Sequence, residues 1–253
     1  MIAIIAGMHR SGTSLMASFF QLCGISMGDD LVGAGKGNIF GHFEDREILG
    51  LHRDILESNA TSEMVPKNDL SLFECHRQQL TDILARRKAK GGDWGWKEPR
   101  TTLFLHYWAK ELPEAHFVLL YRDPYEVINS MYRRLKRRYF LTPFMPFKSW
   151  LRYNESLLRF IQSEDGRYCL INIGAFNRDW EAGARVLSEN LGREFSSSYD
   201  QVYHPKHMRS SKTKVNWLAS LYYRIGKRIY QDRLDGLYAE LDRFAAIPSR
   251  VAD

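Results

Sequence analysis

Short unbroken apolar runs alternate with amphipathic stretches along the chain, and that alternation sets the expected architecture. Residues 2–6 (IAIIA) form an apolar run that stops at Gly7, the pattern of a strand buried on both faces. Residues 116–121 (HFVLLY) and 168–173 repeat it, and 93–97 reads as a shorter strand. Between these runs the apolar residues fall at helical spacing. Helices are predicted over 13–22, ended by Gly24, over 44–56, where Ile48, Leu51, Ile55 and Leu56 share one face, over 101–112, and over 180–191. A further helix should run from Pro124 to about 138, with Asp123 as its cap and proline in its first turn. The tail, 215–244, reads as one long amphipathic helix. Strands alternating with helices predict a three-layer α/β fold, a central parallel sheet flanked by helices, with any ligand at the carboxyl ends of the strands. Chemistry is therefore expected in the turns after Ala6, Lys97 and Tyr121.

At 253 residues the chain can bury a sizeable core without disulfides or metals. No repeat or Pro/Gly/Ser-rich linker divides it, so one domain spanning 1–253 is expected. With 44% hydrophobic and 26% charged residues, the composition is that of a globular protein. No apolar run approaches the ~20 residues of a bilayer span. The first run is too short for a signal peptide and has no basic residues ahead of it, so a cytoplasmic location is expected. The net charge of +6 favours an anionic ligand but falls short of the concentrated basic patch of a nucleic-acid or membrane binder. Cys23, Cys75 and Cys169 lie far apart with no Cys-x-x-Cys pair, which points to reduced, mostly buried thiols and away from structural zinc.

The turn after the first strand is Gly7-Met8-His9-Arg10-Ser11-Gly12-Thr13-Ser14. It has the G-x-x-x-x-G frame of a phosphate loop in the strand-turn-helix context that such a loop requires, so the sheet is expected to be P-loop-like. Glycines let successive N–H groups converge on an anion, and the helix N-terminus adds partial positive charge. A nucleoside triphosphatase carries lysine next to the second glycine. Here Thr13 follows, and the cation, Arg10, sits inside the loop, which argues against γ-phosphate chemistry. The alternative is a plain glycine-capped turn.

At the end of the strand over 116–121, Arg122 is placed to grip a phosphate through its fork of donors, and Ser130 on the next helix adds a hydroxyl. Taken alone, Arg122 would as readily pair with Asp123 or Glu126, and Ser130 would be a neutral helix residue. Combined with the loop, the pair suggests a ligand with phosphates at two ends. The run Trp94-Gly95-Trp96-Lys97-Glu98-Pro99-Arg100 is either a packed tryptophan pair with a surface ion pair or part of a ligand site. Five basic residues between Arg133 and Arg138 form either a solvated face suited to a helix C-terminus or a contact for a polyanion. The glycine-rich 33–38 segment reads as a flexible loop. His9 is a candidate donor in the phosphate loop, whereas His52, His76 and His106 read as ordinary helix residues. Trp217, Tyr222, Tyr223 and Tyr230 are expected to pack the last helix onto the sheet.

The segments GMHRSGTSLM, WGWKEPRT and YRDPYEVINSMYRR, in this order, together with Gly41-His42-Phe43-Glu44-Asp45, resemble the sulfotransferase superfamily that uses 3′-phosphoadenosine 5′-phosphosulfate, in particular its bacterial and Golgi-type branches. The resemblance runs from residue 1 to about 138 and weakens beyond. It implies a sulfotransferase that moves a sulfuryl group from this donor to a hydroxyl or amine acceptor, such as a glycan or another small molecule, without a metal. It further implies that Arg10, Ser11, Gly12, Thr13 and Ser14 hold the 5′-phosphosulfate, and that Arg122 and Ser130 hold the 3′-phosphate. Arg10 and Lys97 become candidates to stabilise the departing phosphate, and Glu44 the candidate base, with His42 as fallback. His42 and Arg100 are assigned to the substrate rim, and the loops 33–43 and 141–148 to the acceptor pocket.

Three departures from the family pattern stand out. Arg10 replaces the lysine of cytosolic members, Glu98 stands where many relatives have aspartate, and no Arg-Lys-Gly element closes the chain; 204–209 (HPKHMR) is the only substitute on offer. Two rival readings stay open: a P-loop kinase using Mg²⁺ and ATP, and a non-enzymatic polyanion-binding module. The first lacks a lysine beside Gly12, and the second leaves two separate phosphate-gripping elements unexplained. No specific nucleic-acid partner is expected.

Overall fold

A computed structural model of the protein describes residues 1–33, 43–67, 69–135, 141–163, 166–195, 199–203 and 217–249. Six strands form one sheet: β1 (Ile2–Gly7), β2 (Leu31–Val32), β3 (Glu44–Asp45), β4 (Trp94–Lys97), β5 (Ala115–Tyr121) and β6 (Tyr168–Asn172). Their spatial order is β2-β3-β4-β1-β5-β6, and every neighbouring pair is parallel except β2 and β3. β1 lies between β4 and β5, with Ile4 opposite Trp96 on one side and Phe117 on the other. All six of its residues are buried, as a strand covered on both faces requires.

Side chains alternate across this sheet with the period of two that a pleated strand imposes. Ile2, Ile4, Ala6, Trp96, Phe117, Leu119 and Leu170 enter one core. That layer is closed by α2 (Arg46–Ser58), α3 (Glu74–Lys90), α4 (Leu105–Glu111) and α6 (Met145–Ser163). Ala3, Ile5, Val118, Leu120 and Ile171 point the other way, onto α1 (Thr13–Leu22), α7 (Ile173–Arg178) and α8 (Trp180–Leu191). A third apolar cluster joins α5 (Pro124–Leu135), α6 and the long α9 (Trp217–Phe244). The three-layer α/β expectation therefore holds.

Several local expectations change. The region predicted as one helix over 101–112 is a 3₁₀ turn, Pro99–Leu103, followed by α4, because Glu98 caps the turn and Pro99 sits in its first position. Met145 to Lys148 belong to the first turn of α6 and not to a loop. Most of the tail tyrosines pack against α5 and α6, where Tyr230 stacks on Phe147, and Trp217 is 74% exposed instead of packed on the sheet. Of the three free cysteines only Cys169 is buried. No helix among the described residues is long and apolar enough to cross a membrane.

Candidate active site

The loop from Gly7 to Ser14 leaves the carboxyl end of β1 and turns directly into α1. Gly12 is its hinge: it adopts the left-handed conformation at φ 83°, and a Cβ there would meet Ile173 Cγ1 at 2.5 Å. Arg10 shares that left-handed region at φ 74°, a conformation uncommon for a residue with a side chain. The loop is tied beneath by Gly7, whose N–H donates to Thr102 Oγ1 at 2.9 Å, and within by Ser11 N–H donating to Met8 O at 3.1 Å. At the start of α1 the first N–H groups have no carbonyl one turn back, so they point at whatever occupies the loop.

Arg10 reaches across to α5, where its Nε donates to Ser130 Oγ at 2.9 Å. Arg122, at the end of β5, donates from Nη1 to the Arg10 carbonyl at 3.3 Å and forms an ion pair with Glu126 at 2.5 Å. The phosphate loop and the Arg122–Ser130 pair, 112 to 120 residues apart in sequence, thus meet. Burial, and then the charges of Arg134, Arg122 and Arg133, lower Arg10 to about 10, which leaves it protonated at neutral pH but crowded by like charge. Ser11 is fully buried, and its hydroxyl has no hydrogen-bond partner among the described residues. Both are unmet needs of a kind that a phosphate satisfies.

Beside the loop stands a second charged group. Parallel pairing of β3 with β4 sets Glu44 opposite Lys97, and Lys97 Nζ donates to Glu44 Oε1 at 3.2 Å. Lys97 is 1% exposed, and burial lowers its pKa despite the opposing pull of Glu44 and Glu98. Glu44 does not begin a helix, as its position in the sequence suggested. Asp45 caps α2 by accepting from the N–H groups of Glu47 and Ile48, which leaves Glu44 one residue earlier on extended backbone. His42 lies outside the described residues, as do 204–209 and the basic residues from 136 to 138.

Arg100 is not on a rim. It is 4% exposed and clamped between the carboxylates of Glu98 and Glu63. Glu98 is fully buried and also accepts from His52 Nδ1 at 2.7 Å and from the Arg100 N–H at 3.0 Å. Burial opposes its ionisation, but the hydrogen bond from His52 and the Arg100 charge outweigh it and hold its carboxyl at about 2. Trp108 Nε1 donates to His52 Nε2 at 3.0 Å, which fixes the tautomer of His52: Nδ1 carries the proton and the ring is neutral. This His52–Glu98–Arg100–Glu63 chain escapes the sequence reading. The one available signal is that His52 shares the apolar face of its helix with Ile48, Leu51 and Ile55.

His9, from the loop itself, packs its ring edge against Tyr153, and its Nε2 is buried without a partner. Burial, then the Arg100 charge, lowers His9 to about 4, so it is neutral at physiological pH.

A parallel sheet that carries such a loop at the carboxyl edge of its central strand defines a P-loop-like α/β protein with positive charge gathered at one edge. The model of the sulfotransferase family matches residues 3–197, and the chain belongs to that family; it is an enzyme, a sulfotransferase. Sulfotransferase STF9 from Mycobacterium avium is similar in structure, with a TM-score of 0.56 at 15% identity over 92% of this chain and 76% of that one. Sulfotransferase STF1 from Mycobacterium tuberculosis H37Rv gives a TM-score of 0.54 at 12% identity, over 91% and 76% of the two chains. No curated protein matches the chain in sequence.

Proposed function

We infer that the protein moves a sulfuryl group from 3′-phosphoadenosine 5′-phosphosulfate to a hydroxyl or amine acceptor, at the edge of the sheet formed by the ends of β1, β3, β4 and β5. The observation that carries this reading is the contact of Arg10 Nε with Ser130 Oγ, around which the charges of Arg122, Arg133 and Arg134 converge. Guanidinium groups repel, and their crowding is relieved by a ligand with several negative charges.

When bound, the donor supplies a sulfuryl group activated by its link to phosphate. The loop N–H groups, with Ser11, Thr13 and Ser14, would hold its 5′ end, and Arg122 and Ser130 its 3′-phosphate. To receive that phosphate, Arg122 exchanges its surface pairing with Glu126, which is 57% exposed and weakly held by solvent-screened attraction. Arg10 and Lys97 bring positive charge to the oxygens on which negative charge grows, the contribution that fixed donors make in a site closed to water. Glu44 takes the proton from the attacking hydroxyl or amine, and its contact with Lys97 Nζ holds one carboxylate oxygen in place.

Incubation with a radiolabelled phosphosulfate donor and a panel of glycans, phenols and amines tests this directly. Label should pass to at least one hydroxyl- or amine-bearing acceptor. Transfer of label from γ-labelled ATP, with none from the phosphosulfate, would overturn it.

A further inference from the structure

A cavity of about 360 Å³ opens between α4, α6, the 3₁₀ turn that precedes α4 and the segment around Leu70. Its walls are of two kinds. Leu70, Leu103 and Tyr107 give it apolar lining, and Lys67, Arg152 and Arg159 basic lining, with the Lys67 ammonium donating to the Asn59 carbonyl at 2.8 Å. Asp69 is the only carboxylate among its lining residues.

Arg152 is the unusual member. It is 7% exposed, yet no carboxylate lies within 4.0 Å of it among the described residues, nor of Lys67 or Arg159. Its Nε donates to the Pro66 carbonyl at 3.0 Å and its Nη2 to the Lys67 carbonyl, while Nη1 is closed off from solvent and finds no acceptor among the described residues. A buried guanidinium is ordinarily paired with a carboxylate, because leaving the charge uncompensated is costly. Burial and then the like charge of Arg159 lower the Arg152 pKa, against a weaker opposing pull from Glu155 and Asp69, neither of which forms an ion pair with it. Among the described residues Arg159 donates only to Ser156 Oγ, at 3.1 Å. Backbone carbonyls hold Arg152 in position without neutralising it.

We propose that this cavity binds a small organic oxyanion, a phosphate, sulfate or carboxylate group carried on an apolar or aromatic body, at a site separate from the nucleotide loop. The anionic head compensates Arg152, Arg159 and Lys67, and the body lies along Leu70, Leu103 and Tyr107. The volume suits this class, since it falls within the ~300–1,000 Å³ of small-molecule pockets and exceeds what a bare ion fills. Thr102 lines the cavity and also accepts the hydrogen bond from Gly7 N–H, so an occupant would lie directly behind the loop's first residue. The inference does not depend on which donor the loop takes.

Calorimetry with phenyl phosphate, on protein saturated with adenosine 3′,5′-bisphosphate to block the loop, tests it. Wild type should bind one equivalent, at least several-fold tighter than inorganic phosphate. The variants Arg159→Glu and Lys67→Glu, both at exposed positions that leave the core intact, should each weaken binding by tenfold or more. Arg152→Met should abolish it, and circular dichroism of that variant checks that it folds. Absence of saturable binding to the wild type, unchanged affinity in both Glu variants, or affinity no greater than that for inorganic phosphate would overturn the proposal.

Discussion

Replacing Glu98 by glutamine removes one charge from the centre of the buried chain that supports the loop while keeping size and shape. Glu98 is fully buried, with His52 and Arg100 as partners. Its carboxyl lies at about 2 against an ordinary 4.5. At ~1.4 kcal/mol per pH unit this difference corresponds to about 3 kcal/mol of stability at neutral pH. The same order follows from a different route, since removing one partner of a buried ion pair typically costs ~3–5 kcal/mol. The sign is set by linkage: the folded value lies below the unfolded one, so the contribution is complete above pH 4.5 and is lost as pH falls toward 2. Urea unfolding of wild type and Glu98→Gln at a series of pH values reads the effect. The variant should be less stable by about 3 kcal/mol at pH 7, and the gap should close as the pH drops from 4.5 toward 2. A gap under ~1 kcal/mol at pH 7, or one that stays constant down to pH 3, would refute the assignment of Glu98 as the ionised hub.

Other outcomes follow from the same geometry. Gly12→Ala places a Cβ against Ile173 at a left-handed position; it should destabilise the protein by ~1–3 kcal/mol and weaken bisphosphate binding, as thermal unfolding and calorimetry would report. Glu44→Gln should lower turnover by ~10²–10⁴ with little change in bisphosphate affinity, and a variant that keeps most of the wild-type rate would move the proton acceptor elsewhere. If Arg10 and Lys97 supply the positive charge, sulfuryl transfer should survive a chelator, and loss of turnover in EDTA with recovery on adding Mg²⁺ would contradict that role. His9 has an ordinary value of 6.5 and is held at about 4. The unfolded chain therefore takes up a proton that the folded one refuses, and stability should fall as pH drops from 6.5 to 4; His9→Gln should make that slope shallower, with buried His52 still contributing its own share.

How much of this was readable in the sequence differs by element. β1 and β5 announced themselves because strands buried on both faces need unbroken apolar runs, and IAIIA and FVLLY are such runs. α3 gives no clear stripe, whereas α6 is amphipathic and goes unpredicted although its apolar residues fall at helical spacing. α3 buries Leu80, Ile83 and Leu84 but also His76 and Arg87, whose guanidinium pairs with Asp45 and Glu47, so charge falls on its inner face. In α6 the buried positions include Ser149 and Arg152, whose partners are the Met64 and Pro66 carbonyls far away in sequence, and Asn154 and Ser156, whose partners Trp150 and Arg159 lie in the same helix. The site divides in the same way. The phosphate loop is local, eight residues with a frame dictated by backbone geometry, and its context was legible. The Arg10–Ser130 contact and the clamp on Arg100 span 120 and 37 residues, and only the sheet order brings those partners together. Arg100 illustrates the limit. Nothing within WKEPR tells that Glu63, from a distant segment, closes over the guanidinium and draws it away from the surface.

In the proposed site the loop around Arg10 and the pair Arg122–Ser130 together read phosphates at both ends of an adenosine. Calorimetric titration of wild type and Arg122→Ala with adenosine 3′,5′-bisphosphate and with AMP measures it most directly. A lost charge-assisted contact costs ~1.5–3 kcal/mol, roughly a 10- to 150-fold change in affinity. Wild type should bind the bisphosphate tighter than AMP by at least that factor, and Arg122→Ala should bring the two ligands to near equality by weakening the bisphosphate alone. Equal affinity of the wild type for bisphosphate and AMP, or an Arg122→Ala variant that still prefers the bisphosphate to the wild-type degree, would contradict it.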